Sequence, residues 1–128
     1  MRFYISTDLG DDHELSSLNE IEWAVNRLAA EKGNFLCVAP ENKMKDVTYC
    51  QAAYVVKTKG FFKKTVVDSY FLVEFQREEN GGDLYQYSKE SRDEAEVYGI
   101  FRRFVDEGYV PDFGGWDREL FLDKNFLK

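Results

Sequence analysis

Between Asp8 and Glu14 the chain carries Asp8, Asp11, Asp12, His13 and Glu14, its densest run of possible metal ligands and the place of its only histidine. Hard cations take several oxygen ligands, so the residue types suit calcium, magnesium or manganese, and a metal-dependent enzyme using the loop Asp8 to Glu14 is one reading. The spacing does not follow. A calcium loop alternates its carboxylates and closes on a glutamate, and that order is missing. A solvated acidic loop just ahead of a helix, where the helix dipole favours negative charge, accounts for the same residues without a metal. No cofactor and no metal are expected.

Other chemistry finds less support. One histidine leaves few ways to build a nucleophilic triad, no glycine-rich phosphate loop is present, and neither Cys37 nor Cys50 stands in a nucleophile context. A carboxylate pair for glycoside hydrolysis is placed by a fold rather than by spacing, and nothing singles one out. A non-enzyme is the expectation. The segment "KTKGFFKK" sets Lys57, Lys59, Lys63 and Lys64 around Phe61 and Phe62. Such a mixture can grip phosphates and stack bases, or it can be a hairpin tip whose lysines keep an edge soluble while the phenylalanines turn inward. The second reading is preferred, because an acidic chain repels nucleic acid at long range. Trp23 projects about 170° from the centre of the apolar face of its helix, with Arg27 near it. Both residue types are enriched at binding hot spots, although the N-terminal loop or the C-terminal tail would also serve to cover the ring.

The elements that must position these residues begin with "RFYIS" at Arg2 to Ser6, an alternating first strand followed by the polar loop "TDLGDDHE". Ser17 and Glu20 have capping-box spacing, Leu18, Ile21, Val25, Leu28 and Ala29 share one helical face, and Gly33 follows as a stop. "FLCVA" at Phe35 to Ala39 reads as a buried strand ending at Pro40. From Val47 to Tyr87, "VTYCQAAYVVK", "TVVDSYFLVEFQRE" and "DLYQYS" are three strands separated by "TKGFFKK" and "ENGGD". Val67, Phe71, Val73 and Phe75 turn to the core, while Val66, Asp68, Tyr70, Leu72 and Glu74 turn away. A second helix is predicted from Ser91, with Ser91 and Glu94 as a capping box, Val97, Phe101, Phe104 and Val105 as its buried stripe, and Gly108 as its stop. The aromatic C-terminal stretch is expected to fold back with a helical turn near Asp117 to Leu122. The expected fold is α+β: a mostly antiparallel sheet of four to five strands with two helices on one face, in the order β-α-β-β-β-β-α.

The length of 128 residues fits a single domain spanning 1–128, and 44% hydrophobic with 32% charged content fits a soluble, folded one. No apolar run approaches a membrane span and no signal pattern opens the chain, so a cytoplasmic location is expected. Cys37 and Cys50 are hairpin neighbours for which a disulfide is geometrically conceivable, but cytosolic thiols stay reduced. The net charge of −7 favours a basic partner over nucleic acid or anionic lipid.

Read in order, the N-terminal helix, "YCQAA" at Tyr49 to Ala53, "YFLVEFQRE" at Tyr70 to Arg77 and on to Glu78, the helix ending "FRRFVDEG" and the closing "GGWD" resemble small bacterial immunity proteins of polymorphic toxin systems. Tyr49, Gln51, Glu74 and Trp116 match the motif positions. The resemblance implies a non-enzymatic protein that binds and neutralises a cognate toxin, often a nuclease, and an acidic inhibitor is steered toward a phosphate-attracting site. Asp8, Asp11, Asp12, Glu14, Trp23 and Arg27 are the expected partner-binding residues. The expected partner is a cognate protein toxin or another basic protein, with no membrane and nucleic acid unlikely; a structural or phage assembly module is the further alternative.

Overall fold

The computed structural model describes residues 1–123 and 125, apart from the side chain of Asp11. Seven strands form one antiparallel sheet: β1 (Phe3–Thr7), β2 (Gly10–Glu14), β3 (Leu36–Pro40), β4 (Val47–Lys59), β5 (Thr65–Glu79), β6 (Asp83–Ser91) and β7 (Asp117–Leu122). Their spatial order is β2-β1-β3-β4-β5-β6-β7. Helix α1 (Leu18–Ala29) lies against β3 and β4, helix α2 (Glu94–Glu107) against β5 and β6, and the two helices touch.

The α+β class agrees with the sequence reading, but the sheet is larger than the four to five strands expected, and the order is β-β-α-β-β-β-β-α-β. Two segments account for the difference. "GDDHE" reads as a loop because aspartate and glycine are poor strand formers, yet an edge strand pairs on one side only and tolerates charge there. It pairs through Tyr4↔Glu14, Ile5↔His13 and Thr7↔Gly10. "DRELFL" holds good helix formers, and its pairing with β6, from Ser88↔Asp117 to Leu84↔Leu122, overrides that preference.

The helix starts also differ in detail. Ser17 is the N-cap of α1 but its side chain makes no capping bond. Glu20 instead accepts from the Ser16 N–H at 2.7 Å and from the Ser16 hydroxyl at 3.0 Å. At α2 the cap is Asp93, which accepts from the Ala95 N–H at 2.9 Å, while Ser91 is the buried last residue of β6. The predicted stop at Gly108 holds, with φ at +64° and the Tyr109 N–H donating to the Arg103 carbonyl.

The core lies between the sheet and the helices. Ile21, Ala24, Val25 and Leu28 of α1 and Val97, Phe101 and Phe104 of α2 meet Phe3, Ile5, Leu36, Val38, Cys50, Ala52, Phe71, Val73 and Phe75. Phe75 sits at its centre, edge-on to Phe104, Phe113 and Trp116 at ring separations of 5.5 to 5.6 Å. Trp116, the last of the four residues that carry the resemblance, is half-buried and packs against this core. Cys37 and Cys50 are free; Cys37 pairs with Gln51 and Cys50 with Val38, one register step apart, so the two thiols point to opposite faces of the sheet and the conceivable disulfide has no geometry. The expectation that the tip phenylalanines turn inward is also overturned. Phe61 is 93% and Phe62 98% exposed.

Candidate functional site

Both helices pack on the same face of the sheet, and among the described residues nothing covers the other. Strand register fixes what that open face presents, because side chains alternate along a strand and stay in line across it. Ser6, Cys37, Gln51, Glu74, Ser88 and Asp117 are successive partners on β1, β3, β4, β5, β6 and β7. Beside them runs a second row, Tyr49, Gln76, Gln86 and Glu119, with Glu14, Tyr4 and Ala39 continuing it on β2, β1 and β3. Neither row contains a lysine or an arginine.

The centre of this surface is cross-linked by hydrogen bonds. Gln51 Nε2 donates to Glu74 Oε1 at 3.0 Å. Thr48, displaced by a bulge in β4, donates to Gln76 Oε1 at 2.7 Å; Gln76 Nε2 donates to the Tyr49 hydroxyl at 3.3 Å, and that hydroxyl donates to Gln86 Oε1 at 3.2 Å. Gln76 is only 7% exposed although it belongs to the uncovered face. Burial lifts the Tyr49 phenol above its ordinary range, with Cys37 and Glu74 adding to the shift, so it stays protonated and bonds as a neutral hydroxyl. Burial, helped by Asp12, pushes the Cys37 thiol up to about 11, which makes it a poor nucleophile at neutral pH. Tyr49, Gln51, Glu74, Gln86, Glu119 and Phe121 line a shallow hollow at the β7 side. The arrangement is suited to holding a surface in place, with fixed donors, acceptors and carboxylates.

Three of the four residues that carry the sequence resemblance, Tyr49, Gln51 and Glu74, thus come together on the open face, and Trp116 lies on the opposite side of the sheet. Gln76, Gln86, Ser88, Asp117 and Glu119 belong to the same surface and were missed. The signal for Gln76 was the alternation of β5, which already turned Glu74 away from the core; Asp117 and Glu119 were hidden by the helical reading of β7.

The residues of the acidic segment divide. Asp8 accepts from Arg27 Nη1 at 3.3 Å and from the Asn34 N–H at 3.2 Å. Desolvation works to raise its pKa, but the bonds from Arg27 and Asn34 outweigh it and the net shift is downward. Arg27 also donates to the Lys32 carbonyl at 2.6 Å and lies 5.1 Å from the Trp23 ring. These two charges are engaged with each other at the surface, tying the β1–β2 turn to α1. Asp12 and Glu14 are exposed on β2, Glu14 beside Arg2 at 3.7 Å; the side chain of Asp11 lies outside the described residues. Trp23 is 54% exposed. With Ile5, Leu9, His13, Glu20 and Ala24 it lines a cleft of about 430 Å³ between the β1–β2 hairpin and α1. His13 Nε2 is 2.7 Å from Glu20 Oε1. Among the described residues no three metal-ligating side chains converge, and no helix is long and apolar enough to cross a membrane.

Compared with known proteins, the chain matches no family model, no curated protein and no solved structure.

Proposed function

We propose that the protein is a non-enzymatic binding protein that takes a basic protein partner on its open sheet face, and that a cognate toxin is the partner class. One observation carries the reading: two adjacent rows across the sheet, from Glu14 on β2 to Asp117 and Glu119 on β7, present carboxylates, amides and tyrosines with no cation among them. A net charge of −7 extends the same field around the molecule. Like-signed fields of this kind speed encounter with an oppositely charged protein, and the fixed Tyr49–Gln76–Gln86 chain supplies directional contacts once it arrives. The toxin assignment rests on the placement of Tyr49, Gln51 and Glu74 on that face, and on their resemblance to immunity-protein motifs.

The test is association of the purified protein with the product of the neighbouring gene, followed by stopped-flow at two salt concentrations. Asp117→Lys with Glu119→Lys should slow association about tenfold at low salt and flatten its salt dependence. Glu22→Lys with Glu31→Lys makes the same change in net charge away from the face and should act weakly. Equal effects of the two pairs would refute an interface on the open face.

A further inference from the structure

The β4–β5 ribbon outruns its neighbours. The β3 ladder reaches β4 only at Ala52, and the β6 ladder reaches β5 only at Phe71, whereas β4 and β5 stay paired to Lys59↔Thr65. At about 3.3 Å per residue, the stretch from Ala53 to Lys59 extends about 20 Å past β3. Arg92 steadies its base by pairing with Asp68 at 2.6 Å, and Lys57 lies 5.3 Å from the Tyr70 ring. Beyond that level the ribbon stands alone. Its turn is set by Gly60, at φ +125°, where a Cβ would meet the Lys63 carbonyl at 2.2 Å.

At the apex Phe61 and Phe62 sit edge to face with centroids 5.3 Å apart, 93% and 98% exposed, and just below them Val66 and Val67, on opposite faces of β5, are 59% and 57% exposed. Lys59, Lys63 and Lys64 surround them, and no ion pair among the described residues engages these three lysines. From Lys57 to Val67 the sequence has no carboxylate. Two fully exposed aromatic rings inside a cationic collar are placed as an interfacial anchor is placed: rings for the acyl boundary, ammonium groups for the headgroups.

We infer that this tip docks the protein on an anionic lipid surface, with Phe61 and Phe62 inserted and Lys59, Lys63 and Lys64 on the headgroups. This is peripheral contact, distinct from the spanning that the helices cannot do, and it is independent of the open-face reading. The acidic body does not forbid it. With a Debye length of about 8 Å at physiological salt, a body standing about 20 Å, more than two such lengths, behind the apex repels the membrane weakly. A plane touches the apex alone, whereas a long polyanion laid on the tip would continue over the acidic body, so lipid is favoured over nucleic acid.

The experiment is co-sedimentation with large unilamellar vesicles of phosphatidylcholine, with and without phosphatidylserine. Binding is expected only with phosphatidylserine and should weaken with salt. Each lysine near the surface contributes about fivefold to partitioning, so Lys63→Glu with Lys64→Glu should abolish it. Phe61→Ser with Phe62→Ser should lower it by about tenfold or more. All four positions are exposed, so circular dichroism and melting should be unchanged. Absence of vesicle binding overturns the inference, as does binding that the serine variant leaves intact. Tip-dependent binding of a single-stranded oligonucleotide without vesicle binding would overturn it in favour of nucleic acid.

Discussion

Replacing Glu20 by glutamine removes one charge from a position where its neighbours require it. Glu20 accepts from the Ser16 N–H and hydroxyl through one oxygen and meets His13 Nε2 through the other, so it joins α1 to the β2 edge of the sheet. The Ser16 N–H bond, with further help from His13 and the Ser16 hydroxyl, holds its pKa down from 4.5 to about 2 against the opposing effect of burial. A carboxyl depressed on folding contributes stability that is fully present above its unfolded pKa of 4.5 and is lost as pH falls through about 2. Taken at face value the shift is worth about 3 kcal/mol. The side chain is 29% exposed, and solvent screening brings this to about 1.5 kcal/mol. Glu20→Gln should therefore cost about 1.5 kcal/mol at pH 7, or about 5 °C in melting temperature for a chain of this size. Urea unfolding of both proteins from pH 7 to pH 3 checks it, because the other carboxyls cancel in the difference. The gap should narrow steadily as pH falls below 4.5. A gap that stays constant over that range would refute the charge argument and leave only a shape effect.

Phe75→Ala should cost about 3–5 kcal/mol, since the ring is fully buried among Phe104, Phe113 and Trp116; a loss under about 1 kcal/mol in urea unfolding would contradict the central role given to it. Gly33→Ala should destabilise by about 1 kcal/mol, because the new Cβ lies 3.1 Å from Asp8 Oδ1 and 3.3 Å from Arg27 Nη1; the loss should shrink in an Asp8→Ala background, and full additivity would sink the mechanism. Cys37 should alkylate slowly at pH 8 in the native state, and Asp12→Asn should speed it modestly by lowering the thiol pKa; alkylation as fast as that of the unfolded chain would contradict its burial.

The two long hairpin strands, both helices and the core residues Phe71, Val73, Phe75, Val97, Phe101 and Phe104 were legible in the sequence, because their apolar periodicity is local and strong. The two edge strands were not. Nothing local in "GDDHE" or "DRELFL" favours a strand, and both are strands only because β1 and β6 offer unpaired backbone. The open face failed for a related reason. Its members are brought into line by register across strands, several of them far apart in the sequence, so Glu119 cannot be recognised as a neighbour of Gln86 until β7 is known to be a strand. The tip was placed correctly as a hairpin end, but rotation of its rings depends on whether a body lies beneath them, and β3 and β6 stop short of it.

The polar chain on the open face bears on how a partner would be held. An uncovered sheet face can remain soluble with lysine, threonine and glutamate side chains that move freely, each of which must be ordered when something binds. Here Thr48, Gln76, Tyr49 and Gln86 are already joined hand to hand, and Gln51 is fixed on Glu74. Their rotamer entropy is lost on folding, so less of it opposes association, and the geometry of donors and acceptors is set before a partner arrives. The exposed carboxylates of Asp117, Glu119, Asp12 and Glu14 stand around that rigid centre at the two edges of the sheet. Steering by the rim and selection by the centre are then separable: rim substitutions should act on association rate, and substitutions at Gln76 or Tyr49 on the lifetime of the complex.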